Sequence, residues 1–321
     1  MRVLIIKTSS MGDVIHSLPA LTDAMLMLTN TRFDWVVEED FSEIPSWHPA
    51  VYKVIPVAIR RWRKNWFSYQ VRKERERFRN ELQLNKYDVI IDAQGLIKSA
   101  WLITRLAQGI RHGGDFLSVK ESLSSLIYDK RHLIKKKQHA VQRIRVLFSK
   151  SLNYLLPTTY ADYSISHCFS KSHNKDTNQY LVFLHSTTRT SKHWPEHNWR
   201  ELITSIHNNG LHIKLPWGAD HERQRAKRLA QGFNYVEILP KLSLEKLASI
   251  LVNARAIVSV DTGLSHLASA LNRPNITLYG PTNHKLIGIN GYNQIALCSS
   301  DKKMGTLTTN IVKNALEKVI T

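Results

Sequence analysis

Asp13 stands in the stretch Lys7-Thr8-Ser9-Ser10-Met11-Gly12-Asp13-Val14 and is its only carboxylate. A carboxylate of ordinary pKa, about 3.9, is ionised at neutral pH and can accept a proton from a hydroxyl as a new bond forms. The same residue type at a helix start also satisfies backbone N–H groups and the helix dipole. Spacing alone leaves both roles open, general base or cap.

A second set of polar groups lies in the other half of the chain. In His185-Ser186-Thr187-Thr188-Arg189-Thr190-Ser191-Lys192-His193-Trp194-Pro195, the hydroxyls of Thr187 and Thr188 can donate to a diphosphate and Lys192 supplies a point charge. The stretch is neither a Walker loop nor a G-x-G-x-x-G turn, and an ordinary polar loop is the competing reading. His193 and His197 are four apart, but Pro195 between them spoils a helical metal pair. In Val258-Ser259-Val260-Asp261-Thr262-Gly263-Leu264-Ser265-His266 a strand stops and a helix begins. Its free N–H groups suit an anion, while Asp261, itself an anion, suits a sugar hydroxyl; caps at Thr262 and Ser265 are the alternative. Tyr279-Gly280-Pro281-Thr282 is a third turn of this kind. Glu222, after Trp217-Gly218, can take the two hydroxyls of a ribose, as acids do in dinucleotide sites, or can merely favour its helix start.

Positive charge concentrates at Arg60, Arg61, Arg63, Lys64, Arg72, Lys73, Arg75, Arg77 and Arg79, opposed by Glu74 and Glu76. Trp62, Trp66, Phe67 and Tyr69 are interleaved. Cations among interfacial aromatics suit phosphates at a membrane surface or single-stranded RNA; a solvated helical face with long stems is the bland alternative. Asp92-Ala93-Gln94-Gly95-Leu96-Ile97-Lys98-Ser99 is another strand-to-helix turn, in which Lys98 faces either an anion or solvent.

These residues need a scaffold that brings strand ends together. Val3–Ile6, 33–37, 54–57 and Tyr87–Asp92 read as strands and 98–108 as a helix, a βαβα order that argues for a doubly wound parallel sheet. Periodicity fades over 157–178, as in an interdomain linker. A second series follows: strands at 180–184, 213–215, 235–239, 257–260 and 276–279, with helices at 198–206, from about 221, at 244–253, 266–271 and 307–320. In such sheets ligands sit outside the carboxyl ends of the strands, which is where every turn above falls.

The chain has 321 residues, enough for two domains, with 43% hydrophobic and 22% charged residues, ordinary for a globular protein. Its formal charge of +19 implies an anionic partner or a lysine-rich surface style. Two distant cysteines, Cys168 and Cys298, suggest neither a disulfide framework nor a thiolate metal site. No secretory leader and no membrane-spanning helix is expected.

Lys7-Thr8-Ser9-Ser10-Met11-Gly12-Asp13-Val14, Lys192-His193-Trp194-Pro195, Asp261-Thr262-Gly263-Leu264-Ser265-His266 and Tyr279-Gly280-Pro281-Thr282 occur in that order. Together they resemble the motifs of the bacterial lipopolysaccharide heptosyltransferases, glycosyltransferase family 9, over Met1 to at least Thr282. The resemblance implies the GT-B architecture: an α/β protein of two Rossmann-like domains across a cleft. The first domain would span 1–165, rejoined by a helix over 307–321, and the second 176–305. It implies transfer of heptose, with inversion, from ADP-heptose to Kdo2-lipid A, the first heptose of the inner core.

By the same resemblance Asp13 is the base, Thr187, Thr188, Lys192 and Thr262 hold phosphate, Glu222 the ribose and Asp261 the heptose. Gly263 and His266 belong to the same donor site, and Leu242 lines the adenine pocket where a Met is usual. Arg60, Arg61, Arg63, Lys64 and Lys120 would bind the anionic acceptor. Lys120 stands where the family has an Arg, and a Lys cannot make a bidentate phosphate contact. No metal or other cofactor is implied, and no D-x-D motif stands in a suitable turn. The resemblance places the enzyme in the cytoplasm, peripheral on the anionic inner leaflet, with no nucleic-acid partner. Two rivals remain at this stage: a related enzyme acting on a later core acceptor or as a nucleotide-sugar epimerase, and a basic RNA-binding protein.

Overall fold

The structure is a computed structural model that describes residues 1–169, 179–206 and 210–320. The chain divides into two compact units, Met1–Ser164 and Ile165–Thr321. Part of the expected linker, residues 170–178, lies outside the described residues.

The first unit holds the strands β1 (Arg2–Ile6), β2 (Arg32–Glu38), β3 (Val51–Val57), β4 (Lys86–Asp92), β5 (Gln108–Gly114) and β6 (Lys130–His132). They form one parallel sheet in the order β3-β2-β1-β4-β5-β6. Val3, Leu4, Ile5 and Ile6 are fully buried, as expected of a central parallel strand covered on both faces. Ile5 pairs with Trp35 on one side and Ile91 on the other.

The second unit repeats the plan with β7 (Tyr180–Leu184), β8 (His212–Leu215), β9 (Val236–Ile238), β10 (Ala256–Val260), β11 (Asn275–Tyr279) and β12 (Gln294–Cys298). Its parallel order is β12-β11-β10-β7-β8-β9. Counted from the first strand of each unit, both orders are 3-2-1-4-5-6. The chain reverses direction across each sheet between β1 and β4, and between β7 and β10. These are the topological switch points at which doubly wound sheets bind ligands.

Three features depart from the sequence reading. The region expected as one helix over 98–108 is a short helix, Ile97–Ser99, and a wider π-type turn, Ala100–Thr104, before β5 begins. β5, β6 and β12 were not expected: Arg111, His112, Lys130 and Arg131 give β5 and β6 no apolar run, and the run 295–298 of β12 lies beyond the recognised motifs; toward the sheet margins the backbone ladder carries the pairing. Gly113 is needed in β5, since a Cβ there would collide with the Tyr128 ring. The helix Thr309–Ile320, expected to cross back to the first domain, groups with the second unit. Val312 and Leu316 pack in the core of the second unit with Leu202 and Ile203, and Trp194 Nε1 donates to Leu307 O at 2.7 Å to fix the approach.

Candidate active site

At the first switch point, β1 ends in the turn Lys7–Ser10 and the helix Met11–Ile15 begins. Asp13 lies in its first turn, and its Oδ2 accepts from Ser10 N–H at 2.9 Å and Ser10 Oγ–H at 3.0 Å. These bonds use two of the roughly four lone-pair directions of a carboxylate. The cap is therefore real.

The turn is held from β4. Gln94 Oε1 accepts from Thr8 N–H at 3.0 Å and Ser9 N–H at 3.2 Å. Gln94 is itself set by Asp92, whose Oδ1 accepts from Gln94 N–H and Gly95 N–H at 2.9 and 3.0 Å. Thr104 and Ser99 donate to the other oxygen at 2.7 and 3.2 Å. Burial pushes the Asp92 carboxyl pKa up against these donors. The sequence draws attention to Lys98 of this turn rather than to Asp92 and Gln94, whose one signal is an Asp two residues before a Gln at a strand end. Gly95 sits at φ +63°, the left-handed conformation that this tight turn requires.

Lys7 is buried, with Nζ donating to Ala93 O at 2.9 Å. Burial lowers its pKa, while the charges of Asp13 and Asp92 work in the opposite direction. Lys120 and Arg143 also act on it as like charges. Lys120 reaches this neighbourhood because Glu121 N–H donates to Gly95 O at 3.2 Å. Arg143, on the helix Ala140–Leu152, was not foreseen.

Arg60, Arg61, Arg63 and Lys64 come together on the short helix Ile59–Trp62 and its end. They are not equivalent. Arg61 is forked onto Glu39 at 2.9 and 3.1 Å and reaches Glu74 at 2.9 Å, which pushes its pKa up. Arg60 lies over the Phe41 ring, 3.9 Å from Asp40. Arg63 and Lys64 are exposed and have no carboxylate partner among the described residues.

At the second switch point, Lys192 Nζ and Asp261 Oδ2 form a 2.6 Å ion pair, with both side chains largely buried. Thr282 Oγ1 donates to the same oxygen at 2.5 Å. The turns after β7, β10 and β11 thus meet on one carboxylate. Thr262 precedes the helix Gly263–Ala270, whose first N–H groups have no partner within the helix. His266 lies buried on that helix. Ser265, considered above as a cap, turns inward instead: its Oγ lies 2.6 Å from Thr277 Oγ1 and accepts from Ser259 Oγ at 2.9 Å. Thr187 is half-buried and Thr188 exposed, and the Thr187 carbonyl lies 2.7 Å from His193 Nε2.

Glu222 is occupied locally. Its Oε2 accepts from Gly218 N–H at 2.7 Å and Ala219 N–H at 3.0 Å, the work of a first-turn carboxylate. Trp217 Nε1 donates to Leu239 O at 2.6 Å, which joins the β8 turn to the loop carrying half-buried Leu242. All the donor-side residues therefore lie along the carboxyl edge of the second sheet. No group of three His, Cys, Asp or Glu side chains able to hold a metal occurs among the described residues.

A family model described as glycosyltransferase family 9 (heptosyltransferase) matches residues 75–315. The chain is 57% identical to lipopolysaccharide heptosyltransferase 1 of Escherichia coli (strain K12) over 319 residues, which is 99% of this chain and 100% of that protein. Among solved structures, E. coli heptosyltransferase WaaC with ADP is 58% identical, with a TM-score of 0.97 over 99% of this chain and 100% of that one. The same protein with ADP-2-deoxy-2-fluoro heptose is 57% identical, with a TM-score of 0.93 over 99% of each chain.

Proposed function

Because this chain belongs to glycosyltransferase family 9, we propose that it is an inverting heptosyltransferase of lipopolysaccharide inner-core synthesis. Its donor is ADP-L-glycero-β-D-manno-heptose and its acceptor a Kdo hydroxyl of Kdo2-lipid A. The observation that carries the donor half is the Lys192–Asp261–Thr282 junction beside the helix start at Gly263. It combines a cation and free N–H groups, suited to a diphosphate, with a carboxylate suited to sugar hydroxyls. A relative of 57% identity has a solved structure with ADP-2-deoxy-2-fluoro heptose, which supports the same donor.

The reaction is one displacement. Asp13 takes the acceptor hydroxyl proton, the acceptor oxygen bonds to C1 of the heptose, and the bond from C1 to the diphosphate oxygen breaks. The electron pair leaves on ADP, whose growing charge is met by Lys192, Thr187, Thr188, Thr262 and the Gly263 helix start. Asp261 and His266 hold the sugar side, while Leu242 and Glu222 border the nucleoside. The cap occupies Oε2 of Glu222, and Oε1 is the oxygen that would engage the ribose. Arg60, Arg61, Arg63, Lys64 and Lys120 meet the acceptor's phosphates and carboxylates. With the leaving charge carried by protein groups, excess EDTA should leave most of the activity intact; complete loss restored by Mg²⁺ alone would contradict this assignment.

No helix of the described residues is long and apolar enough to cross a membrane. We place the enzyme on the anionic inner leaflet, held by its positive charge, without a nucleic-acid partner. The deciding assay incubates the protein with ADP-heptose and Kdo2-lipid A and follows ADP release and the mass of the lipid. A heptosylated lipid is expected; ADP release only with an already heptosylated acceptor would assign the later core step instead.

A further inference from the structure

The basic helix Tyr69–Gln83 borders a groove of about 520 Å³ within the first unit, in the range of small-molecule sites, about 300–1,000 Å³. Trp62 and Phe78, nearly buried, form its floor, and half-exposed Trp101 and Leu102 close its side. Arg72, Arg75 and Arg79 stand along its rim. The spacings of three and four put these arginines on one helix face. None has a carboxylate within ion-pair distance among the described residues, unlike Arg61. The Arg75 guanidinium lies 3.7 Å from the centre of the Trp66 ring, the outer wall of the groove.

A solvated helical face accounts for the arginines but not for an open aromatic groove beneath them. A channel with an aromatic floor and wall, rimmed by Arg72, Arg75 and Arg79 against the single acid Glu76, carries a net positive edge complementary to an amphiphile with an anionic head. We propose that this groove seats one acyl chain of the lipid acceptor, with the attached sugar phosphate held by Arg72, Arg75 and Arg79. The groove floor itself offers no stacking platform for RNA bases, since Trp62 is 6% exposed and Phe78 7%; the exposed rings Phe67, Tyr69 and Trp101 leave RNA to the competition test below. The site is separate from the Arg60–Lys64 cluster, which the proposed function assigns to the sugar end, and it rests on that function in requiring an acylated, phosphorylated acceptor.

The test compares KM for three acceptors: the full lipid in detergent micelles, the same molecule with its acyl chains removed, and the deacylated molecule without phosphates. Trp101→Ala should raise KM about 10-fold for the acylated acceptor, the scale of losing most of one buried aromatic contact, and leave KM for both deacylated acceptors unchanged. Arg72→Gln/Arg75→Gln/Arg79→Gln should raise KM for both phosphorylated acceptors and not for the dephosphorylated one. Unchanged donor KM and kcat on the dephosphorylated acceptor show that the variants are folded. Equal shifts on all three acceptors, or none, would overturn the groove while leaving heptose transfer intact. Single-stranded RNA that competes with the lipid in the wild type and not in the triple variant would also overturn it. No turnover by the wild type on any acceptor would instead remove the enzymatic reading, and this proposal with it.

Discussion

At residue scale, Asp13 carries two duties that sequence spacing could not separate. The Ser10 bonds to Oδ2 make it a cap, and the cap also fixes where the carboxylate points. Asp13→Asn retains an oxygen for those bonds, and Asn caps about as well as Asp. It cannot take a proton. We expect kcat to fall roughly 10² to 10⁴-fold, the usual range for a lost base, with donor affinity and melting temperature nearly unchanged. Near-normal kcat would leave Asp13 a cap only. Lys192 is tested differently, because it is paired. Lys192→Gln leaves Asp261, only 7% exposed, without its cation. Its kcat should drop about 10² to 10³-fold, as for a lost oxyanion donor. Donor affinity should fall as well, since the same lysine is assigned to the ground-state diphosphate. Full kcat in this variant would move the leaving-group role elsewhere along the β7 and β10 turns.

At the scale of elements, the Ile59–Trp62 helix is knitted to its surroundings through Arg61, Glu39 and Glu74, with Trp62 Nε1 also donating to Glu74 at 2.7 Å. Replacing Arg60, Arg61 and Arg63 with Ala together should raise acceptor KM and reduce its salt sensitivity, but it also takes the shared cation from Glu39 and Glu74. Arg63→Ala isolates the binding term, because Arg63 is exposed and has no carboxylate partner among the described residues. It should raise acceptor KM several-fold with no change in donor KM, and a donor effect alone would reassign the cluster. Such pairing was not legible in the sequence: Glu39 and Arg61 are distant along the chain, and only the fold brings them together. The central strands were legible because burial on both faces forces unbroken Val and Ile runs, as in Val3–Ile6. The margins were not, because β5 and β6 owe their place to the ladder and to Gly113 rather than to apolar side chains. The turn motifs stood out where a strand end, small residues and one charged residue coincide, as at Asp261. The Asp92–Gln94 support was hidden because a buried carboxylate satisfied by hydroxyls and N–H groups has no spacing of its own. The helix Thr309–Ile320 was recognisable as a helix, but its partner was not, since an amphipathic stripe does not say which core it covers. Leu316→Ala should cost about 3 kcal/mol and lower the melting of the second unit, read by Trp194 and Trp199 fluorescence. Unchanged melting would contradict the observed packing.

At the scale of the molecule, the formal charge of +19 makes acid a natural stress, and buried histidines sharpen it. His185, at the carboxyl end of β7, is fully buried. Burial first, then the charges of Arg225 and His193, push its pKa down from 6.5 to about 3. The folded chain therefore keeps this ring neutral where the unfolded chain would protonate it. A depressed folded pKa means that its full contribution to stability is present above pH 6.5 and is lost progressively as the pH falls from there toward 3. By pH 5 the loss is about 2 kcal/mol, from 1.5 pH units at about 1.4 kcal/mol each. His112, lowered to about 4 by burial and the His132 ring, adds a loss of the same sign in the first unit. The carboxylates held low, such as Glu196 beside Arg228, add theirs only at lower pH. Melting temperature should therefore fall between pH 7.5 and 5 on account of the buried rings, before the carboxylates held low titrate. His185→Asn, which has no proton to gain, should melt lower at pH 7.5 if packing suffers, yet lose distinctly less between the two pH values than the wild type. Equal losses in wild type and variant would show that the acid sensitivity lies in the net charge rather than in the buried ring behind the β7 turn.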